Sequence, residues 1–291
     1  MDGKKIVERK KKENMFVLSM KRLFQNKVAV LGLLILLVLI LCSVFAPFLA
    51  PYKYDEMDMT AINAAPCAAH IFGTDSIGRD IFSRLLYGGR YSLFMGLVCS
   101  LSSCILGTVI GCIAGYFGGK IDNGIMRVCD VIQAIPGILI AIVLCTAFGD
   151  GYFNTIMAMT LGGITPGVRM SRSLILSERT KEYVEAAKSI NCSTARIMFR
   201  HILINIIPML IVSFTMGIGS IIMLAASLSF IGLGIQPPTP EWGAMLTAGR
   251  STFRNYPWQI LFPGILIFLT VLSINLFGDG LRDALDPKMK K

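Results

Sequence analysis

Charged residues are absent from six long stretches of this sequence, and charge-bearing segments separate them. The stretches are 28–52, 91–119, 131–149, 151–168, 201–240 and 255–278. A helix that crosses the ~30 Å hydrocarbon core of a membrane needs roughly 20 residues, so all six reach or nearly reach that length. The shortest contains Gly162, Gly163 and Pro166, and we expect its helix to continue toward Ser171. The pattern predicts an all-α polytopic membrane protein with six transmembrane helices, because open strands would leave backbone groups unpaired in lipid.

The composition agrees with this prediction. Hydrophobic residues make up 54% of the chain and charged residues 16%, with a mean hydropathy of +0.65. These values are typical of membrane proteins and argue against a soluble fold. The first apolar run, 28–50, is longer than the ~7–15-residue core of a signal peptide and no A-x-A site follows it, so we interpret it as a retained span.

The distribution of basic residues predicts the orientation. Most of the 28 Lys and Arg residues lie in the N-terminal tail, in the second and fourth inter-span segments and in the C-terminal tail. The positive-inside rule then places both termini in the cytoplasm. Because the charges that give the net +10 are dispersed between spans rather than gathered on one face, no nucleic-acid partner is expected.

These boundaries divide the chain into five parts. A basic cytoplasmic tail, 1–27, precedes the first helix, 28–50, and an extracytoplasmic loop, 51–90. A transmembrane core, 91–277, and a cytoplasmic tail, 278–291, follow. Within the core we predict spans at about 91–117, 131–149, 151–171, 207–232 and 256–277, with a cytoplasmic loop at about 172–204.

Residues that would drive transport or catalysis are missing from the sequence. The charge-free stretches that form the spans hold none of the charged residues that carry protons or ions in coupled transporters. Gly118-Gly119-Lys120 lacks the other residues of a nucleotide-binding loop, and HExxH and GxSxG are absent. The eight cysteines form no CxxC pair, and His70 and His201 lie on opposite sides, so neither a metal site nor a cofactor site is predicted. Uphill transport would need energy from a separate subunit, although a passive pore or a structural membrane protein also fits.

Small residues form a stripe along the second predicted span. Ser103, Gly107, Gly111 and Gly115 recur every four residues and so share one helix face. Such a stripe lets another helix approach closely. We interpret it as packing within the chain rather than as a functional site.

The cytoplasmic loop is too long for a simple connector. We expect Thr180 to cap a helix with Glu182 in its first turn, Asn191 to form a left-handed turn, and Ser193 to cap a second short helix. Two short helices at an angle would make a rigid knob. Alternatively, the apolar residues Tyr183, Val184, Ala187 and Ile190 would rest on lipid headgroups.

At this loop the sequence resembles a known family. Glu185-Ala186-Ala187, followed by a turn and by Phe199-Arg200-His201-Ile202-Leu203, resembles the EAA loop of ABC importer permeases. Four further segments are similar to motifs of the dipeptide/oligopeptide/nickel permease family. They are 70–88, 115–122, 228–243 and 275–287.

The resemblance implies a type I ABC importer transmembrane fold and roles for specific residues. The residues implied to couple the chain to an ATPase are Glu185, Ala186, Ala187, Asn191, Arg196 and Arg200. The residues of the family's outer-loop motif are Gly73, Thr74, Asp75, Gly78, Arg79, Asp80 and Arg84. The charged members of this motif would either contact a binding protein or form salt bridges within the loop, and we favour the second.

The chain departs from the family pattern at two positions. Asn191 stands where the family has glycine, and Ile204 stands where it often has proline. Asparagine tolerates the left-handed conformation at modest cost, so docking should survive. At Ile204 we expect one additional helical hydrogen bond near the start of the fifth span.

By resemblance, this chain is a non-catalytic permease subunit in the inner (cytoplasmic) membrane. Its expected partners are the lipid bilayer, a second homologous permease, two cytoplasmic ABC ATPases that use ATP and Mg²⁺, and an extracytoplasmic substrate-binding protein. Di- or oligopeptides are the expected substrates, with nickel or another small solute as the alternative. A stand-alone secondary transporter, a channel and a membrane scaffold remain open as other classes.

Overall fold

The computed structural model describes residues 15–149 and 151–285, which form helices joined by loops. The chain begins with α1 (Met15–Gln25), α2 (Lys27–Val44) and the short α3 (Ala46–Leu49). A long loop leads to α4 (Ile81–Phe117), α5 (Gly119–Gln133), α6 (Gly137–Phe148) and α7 (Tyr152–Glu178). The second half holds α8 (Glu182–Ser189), α9 (Thr194–Arg196), a π-helix (Ile197–Ile202), α10 (Leu203–Phe230), α11 (Trp242–Gly249) and α12 (Trp258–Leu285). No strand occurs in these two ranges, in agreement with the predicted all-α class.

Four helical segments of the described chain are both long and apolar enough to cross a membrane. They are α2, α4, the continuous segment Thr194–Phe230 and α12. A fifth candidate is the pair α5 and α6, which is bent by 88°. Helix α7 is long enough as well, since 27 residues extend roughly 40 Å, but it is less apolar.

The span predicted at about 131–149 is not one continuous helix. Helix α5 continues to Gln133, and α6 starts anew at Gly137. Pro136 explains the break, because proline disfavours the helical conformation at Ile135 and cannot donate its own backbone hydrogen bond. With 12 residues, α6 is only about 18 Å long, which is shorter than the hydrocarbon core.

Other helix limits also differ from the sequence-based boundaries. The first predicted helix, 28–50, is divided at Phe45, and the separate helix α3 begins at Ala46 with Pro47 in its first turn. The fourth predicted span extends to Glu178, well beyond Ser171. The helix predicted at 207–232 begins at Thr194 and remains helical through Ile204, and the last helix continues to Leu285.

Helix α4 lies at the centre of the bundle, between α2, α7 and α10. Its glycine stripe packs on α7: a Cβ atom at Gly111 would lie 2.5 Å from the carbonyl oxygen of Val168. Gly107 meets Gly167 in the same way, and Gly115 meets Ile175. The interpretation of the stripe as packing within the chain is therefore confirmed.

The second close contact of the bundle joins α2 to α12. A Cβ atom at Gly32 would lie 2.7 Å from the carbonyl oxygen of Ser273. Asn26 caps α2 and accepts hydrogen bonds from the backbone N–H groups of Val28 and Ala29, at 3.1 and 3.2 Å. These contacts attach the first long helix to the last one.

Candidate functional site: the knob between α7 and α10

The segment between α7 and α10 folds as two short helices on one end of the bundle. Helix α8 and the α9 and π-helix segment are joined by a turn at Asn191, whose φ is 58°. This left-handed conformation at Asn191 agrees with the prediction. We refer to residues 179–202 as the knob.

The two cap predictions had different outcomes. The expectation that Thr180 caps the first helix is wrong: Lys181 is the N-cap residue, α8 begins at Glu182, and the Thr180 hydroxyl donates to the carbonyl of Ser177. Ser193 does occupy the N-cap position of α9, but its side chain makes no capping hydrogen bond. The helix that follows is short and passes directly into the π-helix.

An apolar cluster holds the knob on the bundle. Val184 and Ala187 of α8 and Ile197 of the π-helix are buried against α4, α7 and α10. From the bundle, Cys112, Ile175 and Ile206 complete this cluster. The knob is therefore packed on three long helices rather than tethered by a loop.

Polar contacts fix the start of the knob. Glu178, the last residue of α7, accepts hydrogen bonds from the Tyr183 hydroxyl at 2.6 Å and from the Lys181 ammonium group. Burial and the hydrogen bond to Glu178 raise the pKa of Tyr183 to about 12, so its hydroxyl stays protonated as the donor. Arg179 donates to the carbonyl of Gly115, at 2.9 Å, and so ties the knob to the end of α4.

The predicted coupling residues include exposed residues on the surface of the knob and one buried residue beneath it. Glu185, Ala186, Asn191, Arg196 and Arg200 are exposed. Ala187, in contrast, is only 5% exposed and belongs to the apolar cluster. The motif thus combines residues that face outward with one that attaches the helix to the bundle.

Apolar side chains accompany these charges on the exposed side. Ile190 is 76% exposed and Phe199 is 55% exposed, and they flank the turn at Asn191 in sequence. The predicted alternative placed Tyr183, Val184, Ala187 and Ile190 on lipid headgroups. The structure contradicts it for Val184 and Ala187, which are buried under the knob, whereas Tyr183 is half-buried and Ile190 is exposed. A surface with acidic, basic and apolar groups on a rigid support is suited to bind a protein partner.

Comparison with known proteins identifies the family. Residues 107–291 match the family described as binding-protein-dependent transport system inner membrane component, and residues 14–66 match the N-terminal transmembrane domain of oligopeptide transport permease C. The chain is 44% identical to a dipeptide transport system permease protein of Alkalihalophilus pseudofirmus, over 94% of this chain and 90% of that protein. The chain belongs to this family of inner-membrane transport components.

A second relative and a solved structure agree with this assignment. The permease is 45% identical to a glutathione transport system permease protein of Pectobacterium atrosepticum, over 93% of this chain and 90% of that protein. Its fold is similar to that of a chain of the MetNI methionine ABC transporter in an inward-facing conformation, with a TM-score of 0.60 at 17% identity. That match covers 70% of the permease and 96% of the other chain.

At the opposite end of α4, the predicted outer-loop motif forms the interior of loop 51–80. The Asp75 carboxylate accepts from the Arg79 guanidinium at 2.7 Å, and Arg84 lies 3.8 Å from the same oxygen. Asp80 caps α4 by accepting from the backbone N–H of Ser83 at 2.7 Å, and it contacts His70 at 3.0 Å. These charged side chains are buried and bind one another, as the favoured interpretation of the sequence proposed.

Backbone requirements explain the remaining motif residues. The φ angles of Gly73 and Gly78 are 76° and 79°, and a Cβ atom at Gly78 would lie 2.1 Å from the carbonyl oxygen of Asp58. The Thr74 hydroxyl donates to the carbonyl of Ala61 and accepts from the N–H of Ala64 at 2.8 Å. The motif therefore specifies the fold of the loop.

Sequence reasoning missed a buried carboxylate, Glu241, at the start of α11. It is 2% exposed and accepts four hydrogen bonds. The donors are the hydroxyls of Ser92 and Ser229, at 3.0 and 2.9 Å, and the N–H groups of Gly243 and Ala244, at 2.9 and 2.8 Å. Because the donors come from α4, α10 and α11, this carboxylate joins three helices. The available signal was its position directly before Trp242, where an acidic residue can cap a helix.

Proposed function

We propose that this chain is one permease subunit of an ATP-driven ABC importer and forms half of its translocation pathway. A second homologous permease forms the other half. Two cytoplasmic ATPase subunits bind and hydrolyse ATP with Mg²⁺, and an extracytoplasmic binding protein delivers the substrate. The observation that carries this proposal is the knob: an exposed mixed surface, rigidly packed on three long helices, in a chain of this family.

The proposed topology has six spans with both termini in the cytoplasm. The spans are α2, α4, the bent pair α5 and α6, α7, Thr194–Phe230 and α12. The knob lies near the end of α4 and loop 51–80 lies at its start, about 55 Å apart along 37 residues. A membrane about 30 Å thick fits between them, with the basic knob on the cytoplasmic side.

In the proposed mechanism the exposed face of the knob docks on an ATPase subunit. Closure of the two ATPases on ATP draws the two knobs of the importer together and tilts the attached helices. The pathway then changes from inward-facing to outward-facing. Glu185, Ala186, Arg196 and Arg200 would contact the ATPase, whereas Ala187 would support α8 from below.

We further propose that the imported substrates are small peptides. The relatives reported above are named for dipeptide and glutathione transport, and both are peptides or peptide derivatives. The long charge-free stretches within the spans suit a pathway that accepts peptides of different side-chain composition. Nickel or another small solute is the alternative, and uptake into vesicles that hold the whole complex and its binding protein distinguishes them. Uptake of nickel salts without uptake of labelled dipeptides or tripeptides would contradict the peptide proposal.

The docking proposal is tested with Ala186→Trp in the complete complex. Ala186 is exposed, so the larger side chain should leave the fold of the permease intact while it obstructs the docking surface. Overpacking of a close interface costs about 1–3 kcal/mol, which is roughly a 5- to 150-fold loss of affinity for the ATPase. Substrate-stimulated ATP hydrolysis should fall accordingly.

Ala134→Trp is the matched control. Ala134 is exposed at the end of α5, outside the knob, and the same change there should leave ATP hydrolysis near the wild-type rate. Ala187→Trp is unsuitable as a test, because Ala187 is buried and its variant would disturb the fold. Normal ATPase binding and coupling in Ala186→Trp would refute the docking proposal.

A further inference from the structure

An apolar groove lies on the bundle far from the knob, between α2, α4, α10 and α12. It has a volume of about 520 Å³, within the ~300–1,000 Å³ range of pockets that hold small ligands. Its walls are apolar almost throughout, with aliphatic and aromatic side chains. They include Leu36, Ile40, Leu93, Leu97, Ile218 and Ile274. We call this feature the α2–α4 groove.

Arg90 stands at one end of the α2–α4 groove. Its Nε donates to the carbonyl of Ser43 at 2.8 Å, and its Nη2 donates to the carbonyl of Val44 at 2.5 Å. These carbonyls belong to the last turn of α2, where a cation is favoured by the helix dipole. A guanidinium has five N–H donors, so these two bonds leave about three for another acceptor.

The charge of Arg90 is not neutralised within the described part of the chain. No carboxylate lies within ion-pair distance of its guanidinium among residues 15–149 and 151–285, and the ring of Tyr87 lies 5.7 Å from its central carbon. The side chain is also exposed. Arg90 therefore has free N–H groups on its planar guanidinium. Such a group can bind two oxygens of one phosphate at the same time.

The depth of Arg90 matches a membrane surface. From Arg90 to Cys112, which lies in the cluster beneath the knob, α4 rises about 33 Å. This distance is close to the ~30 Å hydrocarbon thickness. From Lys27 to Val44, α2 rises about 26 Å, which is also close to the hydrocarbon thickness. Arg90 thus lies at the headgroup level of the leaflet away from the knob, and the groove extends from it into the hydrocarbon region.

We propose that the α2–α4 groove binds an anionic phospholipid of that leaflet, with the phosphate on Arg90 and an acyl chain along the groove. The combination of an apolar channel at acyl-chain depth and an unneutralised guanidinium at headgroup depth selects this ligand. The bound lipid would pack α2, the first long helix, against α4 and α10. This site is independent of the knob and of the transported substrate.

The test uses the full-length chain in its complex, reconstituted in vesicles of equimolar phosphatidylglycerol and phosphatidylcholine. After mild extraction, mass spectrometry measures the ratio of the two lipids that remain bound. Wild-type protein should be enriched in phosphatidylglycerol. Arg90→Gln should reduce this enrichment about fivefold, which corresponds to the ~1 kcal/mol expected for one basic residue near an anionic membrane.

Two variants separate lipid binding from folding. Leu97→Trp fills the groove and leaves the Arg90 guanidinium unchanged. It should lower the total amount of retained lipid. Arg254→Gln removes an exposed arginine outside the groove and should leave both measurements unchanged. Equal enrichment in wild type and Arg90→Gln, together with equal total lipid in wild type and Leu97→Trp, would overturn the proposal.

The identity of the occupant is tested by a photo-crosslinking amino acid at position 97. A lipid adduct supports the proposal. Loss of this adduct when Arg90→Gln is also present would show that the guanidinium holds the lipid. A protein adduct with the partner permease would show that a protein surface covers the groove, and it would refute lipid binding.

Discussion

Replacement of Glu241 should destabilise the permease in proportion to the number of hydrogen-bond donors that lose their acceptor. In Glu241→Ala, the N–H groups of Gly243 and Ala244 lose the cap of α11, and both stay inside the bundle. Loss of a cap costs about 0.5–2 kcal/mol, and each buried donor without a partner costs about 1–3 kcal/mol. The serine hydroxyls can rotate toward other acceptors. We therefore expect a loss of about 2–5 kcal/mol.

Glu241→Gln keeps the shape of the side chain and changes only one end of it. Its remaining oxygen can serve one hydroxyl and one N–H group, as each carboxylate oxygen does in the native protein. Its amide nitrogen faces the other hydroxyl, which can rotate and accept, and the other N–H group, which cannot. One donor is left without a partner, so the expected loss is about 1–3 kcal/mol.

The measurement is thermal unfolding of the purified protein in detergent. The fraction of protein that remains monodisperse after heating is plotted against temperature and gives the midpoint. The order of midpoints should be wild type, then Gln, then Ala, with a control, Glu182→Gln, close to wild type because Glu182 is exposed. Midpoints of both Glu241 variants that equal the wild-type value would refute the reasoning. A Gln variant as unstable as the Ala variant would show that negative charge, rather than the number of acceptors, stabilises this junction.

Three further predictions concern the packing and the knob. Gly111→Ala should destabilise the fold by about 1–3 kcal/mol in the same unfolding assay, because its Cβ would lie 2.5 Å from a backbone oxygen of α7. Gly124→Ala is the control: nothing lies within 4 Å of its Cβ position, so this change should stabilise the fold by up to ~1 kcal/mol. The φ of 58° at Asn191 suits glycine and opposes a branched side chain. Asn191→Gly should therefore preserve ATPase coupling, and Asn191→Val should lower thermal stability by about 1–2 kcal/mol. Equal unfolding midpoints for the two variants would contradict this role of the backbone conformation. The raised pKa of Tyr183 should contribute stability that is fully present below the ordinary pKa of 10.0 and is lost as the pH rises toward about 12. Tyr183→Phe should remove this part of the loss of stability at alkaline pH, measured by unfolding at a series of pH values. An unchanged pH profile in the variant would argue against this contribution.

The sequence was most informative where one property alone determines the structure. Charge-free stretches indicated where long helices occur, because lipid excludes charge over the whole of a span. The stripe from Ser103 to Gly115 indicated a close helix contact, since only small residues allow one. The left-handed turn at Asn191 was also predictable, because few other residues tolerate it.

Features that depend on distant partners were not predictable in this way. Pro136 marks a break between α5 and α6, but the 88° bend depends on how α5 packs on the bundle. Thr180 has the chemistry of a cap, yet Glu178 binds Lys181 and Tyr183, and the helix starts one residue later than predicted. Glu241 is an ordinary acidic residue in the sequence, and its role requires Ser92, which is 149 positions away.

In the proposed mechanism, the continuous helical segment from Thr194 to Phe230 acts as a lever arm. Its 37 residues extend roughly 55 Å, so a tilt of about 5° at the knob would displace the far end by about 5 Å. A flexible joint at Ile204 would absorb such a tilt locally, whereas a continuous helix transmits it. Small movements of an ATPase would then be amplified at the opposite membrane surface, where α11 packs against the last turns of the lever.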